Sequence, residues 1–281
     1  MNAAVQAPER GLTPRRAPPA RQRLLALVRR GLRDNRRAPL TWGGGLGVMT
    51  ALVAAIWPSI EDSTAELVKS YPAGLKGAFG IQQLDTIEKF VDAEMLSLVV
   101  PLTLAFFAVR CAIRATVVAE DRRYLDTLLS QPVSRRMLVG ASFLVTGIVL
   151  AAVLAVVWAL TWVAGATAGG GISAATLAAG LVNVWPLAMA FGGVAVFAAG
   201  ISHRPVTVTA IAAGTLAAMY VLDLVGKLSD AVEPFRVLSA FRYYGSAVQD
   251  GLDASHMIVL TLFAVGLAAA GAQLFARRDL L

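Results

Sequence analysis

Only one cysteine, Cys111, and two histidines, His203 and His256, occur among the 281 residues. A single thiol excludes an intramolecular disulfide and a thiolate zinc cluster. A metal site would have to draw on carboxylates or on a partner chain, and no metal is expected here. Charge is scarce too: charged residues make up 15% of the chain against 57% hydrophobic ones, with a mean hydropathy of +0.66. Soluble domains are roughly 45–50% apolar, so this composition leaves too little polar surface for a protein in water. Catalytic signatures are missing as well. A phosphate-cradling loop needs Gly, four residues, then Gly-Lys. The chain's Gly-Lys pair is Gly226–Lys227, and the position five before that glycine is Val221. Neither a His-Glu-x-x-His nor a Gly-x-Ser-x-Gly pattern occurs. No enzymatic activity and no cofactor are expected in this polypeptide itself.

What the chain does have is basic residues and long apolar runs. The net charge of +7 would suit nucleic acid, but its distribution does not. The first 38 residues carry ten Arg against Glu9 and Asp34, while the apolar runs carry almost none. That is the pattern of a flank held on one side of a membrane, and it argues against a groove that tracks phosphates.

Residues 1–20 combine Pro, Ala and Arg without an apolar block and read as a disordered basic tail. They contain no h-region, which argues against a cleaved signal peptide. In 21–38, Leu24, Leu25, Val28 and Leu32 fall on one helical face with Arg on the others. Such a helix lies in the membrane interface with its apolar side down. Six apolar runs follow within a membrane domain, 39–281: Pro39–Trp57, Met95–Val118, Met137–Ala164, Ala174–Ile201, Pro205–Val225 and His256–Ala276. Each is close to the ~20 residues needed for a crossing, and in lipid only helices satisfy the backbone of such isolated segments. The fold class is all-α, a polytopic membrane protein with six transmembrane helices. With the N-terminus inside, 19 of the 25 Lys and Arg fall on the inner side, so both termini are expected in the cytoplasm.

Two longer segments, 58–94 and 226–255, then lie outside. Leu84, Ile87 and Val91 form a helical stripe in the first, and Phe235, Leu238 and Phe241 form one in the second. They read either as interfacial or re-entrant caps or as ordinary loops with amphipathic turns.

Ionisable residues in membrane helices are the usual pointers to ion paths, and here they avoid the helix centres. Arg110 and Arg114 sit one turn apart at the inner end of the second crossing, and Asp223 at the outer end of the fifth. Asn183, Trp185 and Pro186 near the middle of the fourth crossing are candidate pathway residues, with Pro186 able to bend the helix. Gly43 and Gly47 form a Gly-x-x-x-Gly face suited to helix packing.

The connector EDRRYLDTLLSQPVSRR, residues 120–136, carries seven charges between two very apolar runs. Tyr124, Leu125, Leu128 and Leu129 share one side of a short helix, which Glu120, Asp121 and Arg122 begin and Gln131–Pro132 ends. Ser134 can cap the third crossing, whose first turn begins at Arg135. An amphipathic helix below the membrane offers a surface to another protein; a plain turn would need far fewer residues.

With Glu120, Leu125, Asp126, Leu128, Leu129, Ser130 and the run Pro132-Val133-Ser134-Arg135, the connector resembles that of permease subunits of type 2 ABC transporters. The likeness is to the six-crossing branch that includes the membrane subunit of the copper-site maturation exporter. Arg123 and Tyr124 stand where that branch usually has Gly-Thr, and the ending FARRDLL is similar to the family's C-terminus. The resemblance implies that the connector is a coupling helix. Glu120, Asp121, Arg122, Tyr124, Leu125, Leu128, Leu129 and Arg135 would contact a separate ABC ATPase subunit, which binds the ATP and Mg. It further implies a permease homodimer in a two-plus-two complex, working as an exporter in a bacterial plasma membrane. A self-contained secondary carrier or channel, and a non-transporting membrane scaffold, are the other classes the residues allow.

Overall fold

The computed structural model describes residues 19–70, 85–118, 134–169 and 171–277, without the side chains of 62 and 64–70. The expected tail therefore lies outside the described residues except for its last two positions. Every element among the described residues is helical. Helix α1 is Ala20–Asp34, and α2 is Gly44–Ser70, entered through a π-helical turn at Pro39–Gly43. Then come α3 (Ile87–Val91), α4 (Val99–Ala115), α5 (Arg135–Thr167), α6 (Ala174–Ile201), α7 (Pro205–Leu228), α8 (Ala240–Tyr244) and α9 (Ala254–Arg277).

Five helical stretches are long and apolar enough to cross a bilayer: Pro39–Glu61, Arg135–Thr167, Ala174–Ile201, Pro205–Leu228 and Ala254–Arg277. They coincide with the expected first and third to sixth crossings to within a few residues. The expected second crossing, Met95–Val118, is not one continuous rod. It is divided into Ile87–Leu96 and Val99–Ala115, bent by 44° at the break, and only the pair together is long enough to span. The cause is local. Pro101 has no N–H, and its ring displaces the carbonyl four residues earlier, that of Ser97. Ser97 instead closes a π-type turn, its N–H reaching the Asp92 carbonyl at 2.8 Å, while Leu98 leaves helical geometry at ψ −56° with φ −141°.

Helix α6 is the axis of the bundle. It is apolar on all sides, as expected of a helix surrounded by others, and most of its residues are buried. In lipid no hydrophobic gain draws helices together, so close contact of small residues has to do so. Along α6 and α9 this is literal. A Cβ on Gly193 would lie 2.6 Å from the Ala264 carbonyl oxygen, and one on Gly271 would lie 2.5 Å from that of Val196. The α2–α5 seam repeats the device. A Cβ on Gly43 would stand 2.9 Å from Val156 Cβ, and one on Gly47 would stand 2.6 Å from Leu160 Cδ1. One turn further, the Thr50 and Thr161 hydroxyl oxygens are 2.5 Å apart, both buried. Positions 43, 47, 50, 54 and 57 thus form one helical stripe, ending in the buried Trp57 against Phe90 with ring centres 5.2 Å apart.

These contacts also fix directions. Gly31 meets Val145 and Gly47 meets Leu160, so α2 runs parallel to α5 and α1 lies beside the start of α5. Trp158 bonds to the Ala174 carbonyl and Trp185 to that of Gly147, so α6 runs antiparallel to α5. Gly193 against Ala264 and Gly200 against Leu274 make α9 parallel to α6. Helix α1, the C-terminal ends of α4, α6 and α9, and the N-terminal ends of α5 and α7 therefore share one end of the bundle.

Candidate functional site

That shared end is basic. Arg110 and Arg114 lie on successive turns of α4, Arg135 and Arg136 open α5, and Arg204 and Arg277 belong to the neighbouring helix ends. The start of α5 is capped by Ser134, whose Oγ accepts from the Met137 N–H at 3.3 Å. Helix α1 reaches this end through the face formed by Leu24, Leu27, Val28, Gly31 and Leu32, spaced as one stripe of a helix. Leu25, expected on that stripe, is instead 45% exposed, and Leu27 takes its place. Gly31 allows the approach, since a Cβ there would stand 2.8 Å from Val145 Cγ2.

Between α1, α4 and α5 a cavity of about 460 Å³ remains, its basic side carrying Arg30 and Arg114 and its apolar wall carrying Leu27, Leu138, Val145 and Val149. A second cavity of about 160 Å³ adds Arg110 and shares Asp34, Asn35, Cys111 and Arg114 with the first. Arg30 pairs with Asp34 at 4.0 Å on the exposed side of α1.

The opposite end is closed by hydrogen bonds. Asp92, buried in the π-turn, accepts from Ser246 Oγ at 2.5 Å and from Gln249 Nε2 at 3.2 Å. The Tyr244 hydroxyl donates to the Leu96 carbonyl at 2.7 Å, while the Tyr244 carbonyl accepts from the Asn183 amide. Burial, and secondarily the nearby Asp92, push the Tyr244 hydroxyl well above the ordinary phenol range, so it stays a donor. Glu88 accepts from the Ser173 N–H at the start of α6. Asp223, buried near the end of α7, holds Arg236 and Lys227, each at 3.0 Å. The Ser239 hydroxyl donates to the Met219 carbonyl at 2.6 Å. Of the stripe expected in 226–255, only Phe241 is buried. Phe235 and Leu238 are 58% and 66% exposed, because Glu233–Leu238 is a 3-10 turn held through Arg236 and not through its apolar face.

The candidate residues are dispersed. Glu120, Asp121, Arg122, Tyr124, Leu125, Leu128 and Leu129 lie outside the described residues, whereas Arg135 opens α5 at the basic end. Asn183 belongs to the polar end through Tyr244. Trp185 bonds across to Gly147 on α5 at 2.8 Å, and Pro186 sits within the uninterrupted α6. Gly43 and Gly47 line the α2–α5 seam. Among the described residues no three His, Cys, Asp or Glu side chains gather at metal-binding spacing.

Sequence reasoning missed Glu88 and Asp92, whose burial depends on the break at Ser97–Leu98, and the glycines of α6 and α9. The small residues Ala264, Ala268, Gly271 and Ala272 were the available sign of that second seam.

Comparison with known proteins gives one family. A family model described as the C-terminal domain of multidrug efflux system permease Rv1217c matches residues 25–276. A search of curated proteins finds no match.

Proposed function

The chain belongs to the family of the Rv1217c multidrug efflux permease C-terminal domain, and from that premise we propose that it is the membrane subunit of an ATP-driven ABC exporter. In this reading a separate ABC ATPase subunit binds ATP and Mg and hydrolyses the nucleotide. The permease works as a homodimer in a two-plus-two complex in a bacterial plasma membrane. The bent pair counts as the second of six crossings, and both termini face the cytoplasm, as does the basic end. Helix α1 lies in the inner interface as the connecting helix.

One observation carries the coupling reading: both attachments of the 120–133 segment, at the end of α4 and at the start of α5, emerge at the basic end beside α1. The segment with the Leu125–Leu128–Leu129 face is therefore anchored where an ATPase on the cytoplasmic side would meet the bundle. Residues Glu120, Asp121, Arg122, Tyr124 and Arg135 supply the polar rim of that contact. Force on the segment passes directly into α4 and α5, and from α5 into α2 and α6. ATP-driven movement of the partner would thus tilt the helices that bound the cavity.

The test is to co-express the chain with candidate ABC ATPase subunits from the same genome, and to replace Leu125 and Leu128 together by Asp in the pair that forms a complex. Buried apolar anchors of such contacts are worth about 2 kcal/mol or more each. Permease-stimulated ATP hydrolysis is expected to fall more than about tenfold with the helical fold intact. Unchanged stimulation would remove the docking role from this segment.

A further inference from the structure

We propose that the cavity between α1, α4 and α5 binds the phosphate headgroup of an anionic phospholipid. This goes beyond the transport reading and does not require an ATPase. The cavity has two unlike sides. One is cationic: Arg30 and Arg114 line it, and Arg110, one turn before Arg114, lines the smaller neighbouring cavity that shares Arg114. Asp34 is the only acid among the described lining residues, and it is engaged with Arg30 at the exposed edge. Among the described residues no carboxylate lies within ion-pair distance of Arg110 or Arg114, two guanidinium groups one helical turn apart. The other side is apolar, formed by Leu27, Leu138, Val145 and Val149.

A free inorganic anion would match the first side and gain nothing from the second. An apolar solute would match the second side and offer nothing to the arginines. A phospholipid matches both, with its phosphate at Arg114, one helical turn from Arg110, and the upper part of a chain along the valines and leucines. Basic pockets between membrane helices are recognised sites for anionic headgroups, and planar guanidinium groups bind phosphate oxygens through paired N–H donors. A zwitterionic headgroup fits less well, because its own ammonium competes for the phosphate and repels the arginines. Held there, the lipid bridges α1 to α4 and α5 where those helices leave a gap.

The experiment is native mass spectrometry on the purified full-length chain. It is titrated with phosphatidylglycerol or with phosphatidylcholine of identical acyl chains. Each arginine near a phosphate is worth about fivefold in affinity. The native chain should hold its first phosphatidylglycerol about 30-fold more tightly than phosphatidylcholine. Arg110→Gln with Arg114→Gln should abolish that preference. Arg204→Gln with Arg277→Gln removes the same charge from the same end outside the cavity, and should leave the preference in place. If the double variant in the cavity does not fold, Arg114→Gln alone should weaken phosphatidylglycerol about fivefold. Equal retention of the two lipids by the native chain would overturn the proposal. So would a preference that survives loss of the cavity arginines, or an equal loss in the two double variants.

Discussion

At the end of the bundle that carries Asp92 and Tyr244, side chains and backbone carbonyls of the bent pair, α6, α7 and the 236–250 segment bond to one another in buried or half-buried positions. At the end that carries α1, the charged groups are mostly exposed arginines, and two cavities open beside the contact of α1 with α5. Between the ends, glycine-to-backbone contacts hold α6 to α9 and α2 to α5. Buried, hydrogen-bonded networks resist separation because each broken bond strands a partner. Exposed charges and an open cavity resist little. The difference assigns stability to one end and room for movement to the other, and the basic end is also where the 120–133 segment attaches.

Substitutions can break or sharpen this contrast. The largest loss is expected at the shared seam. Gly193→Leu forces a side chain into the Ala264 backbone, which cannot yield as a side-chain tip would, and should cost about 3 kcal/mol or more. Thermal unfolding in detergent would read this, and a near-native melting temperature would contradict the close α6–α9 contact. At the hydrogen-bonded end, Asp92→Leu leaves Ser246 and Gln249 without their acceptor and should cost about 2–3 kcal/mol. Asn183→Leu frees only the Tyr244 carbonyl and should cost about 1–2 kcal/mol. In the α2–α5 seam, Thr50→Val keeps the shape and loses one interhelical hydrogen bond, for which about 0.6 kcal/mol is the ordinary value in membranes. At the basic end, Arg114→Gln should leave stability within about 0.5 kcal/mol while weakening the lipid site. If Arg114→Gln destabilised the fold as much as Asp92→Leu, the contrast between the ends would fail.

The crossings were legible because bilayer thickness imposes a length and an apolar composition that neighbours cannot disguise. The four long helices from α5 onward differ from their expected bounds by a few residues at most, and Ala174–Ile201 coincides exactly with its helix. The break in the second crossing was less so. Pro101 lies just past the break, and the turn that closes there is held at Asp92 by Ser246 and Gln249, partners more than a hundred residues away. Position on α1 was legible as a stripe yet shifted at Leu25, because Gly31 and Val145 set which face turns inward. For the site, Arg110 and Arg114 were visible as a pair one turn apart. The cavities they line were not, since they arise from how α1 and the chain after it lie beside α4 and α5. Asn183 was visible as a polar residue in an apolar helix. Its partner, a backbone carbonyl at Tyr244, carries no sequence signature.

ATP-dependent efflux from vesicles tests the central claim most directly. The chain would be reconstituted alone and with the proposed ABC ATPase subunit, with a panel of apolar and amphiphilic dyes as candidate cargo. The account predicts dye movement only when both subunits and ATP are present, and none when an ion gradient replaces ATP. Transport by the chain alone, driven by such a gradient, would contradict it.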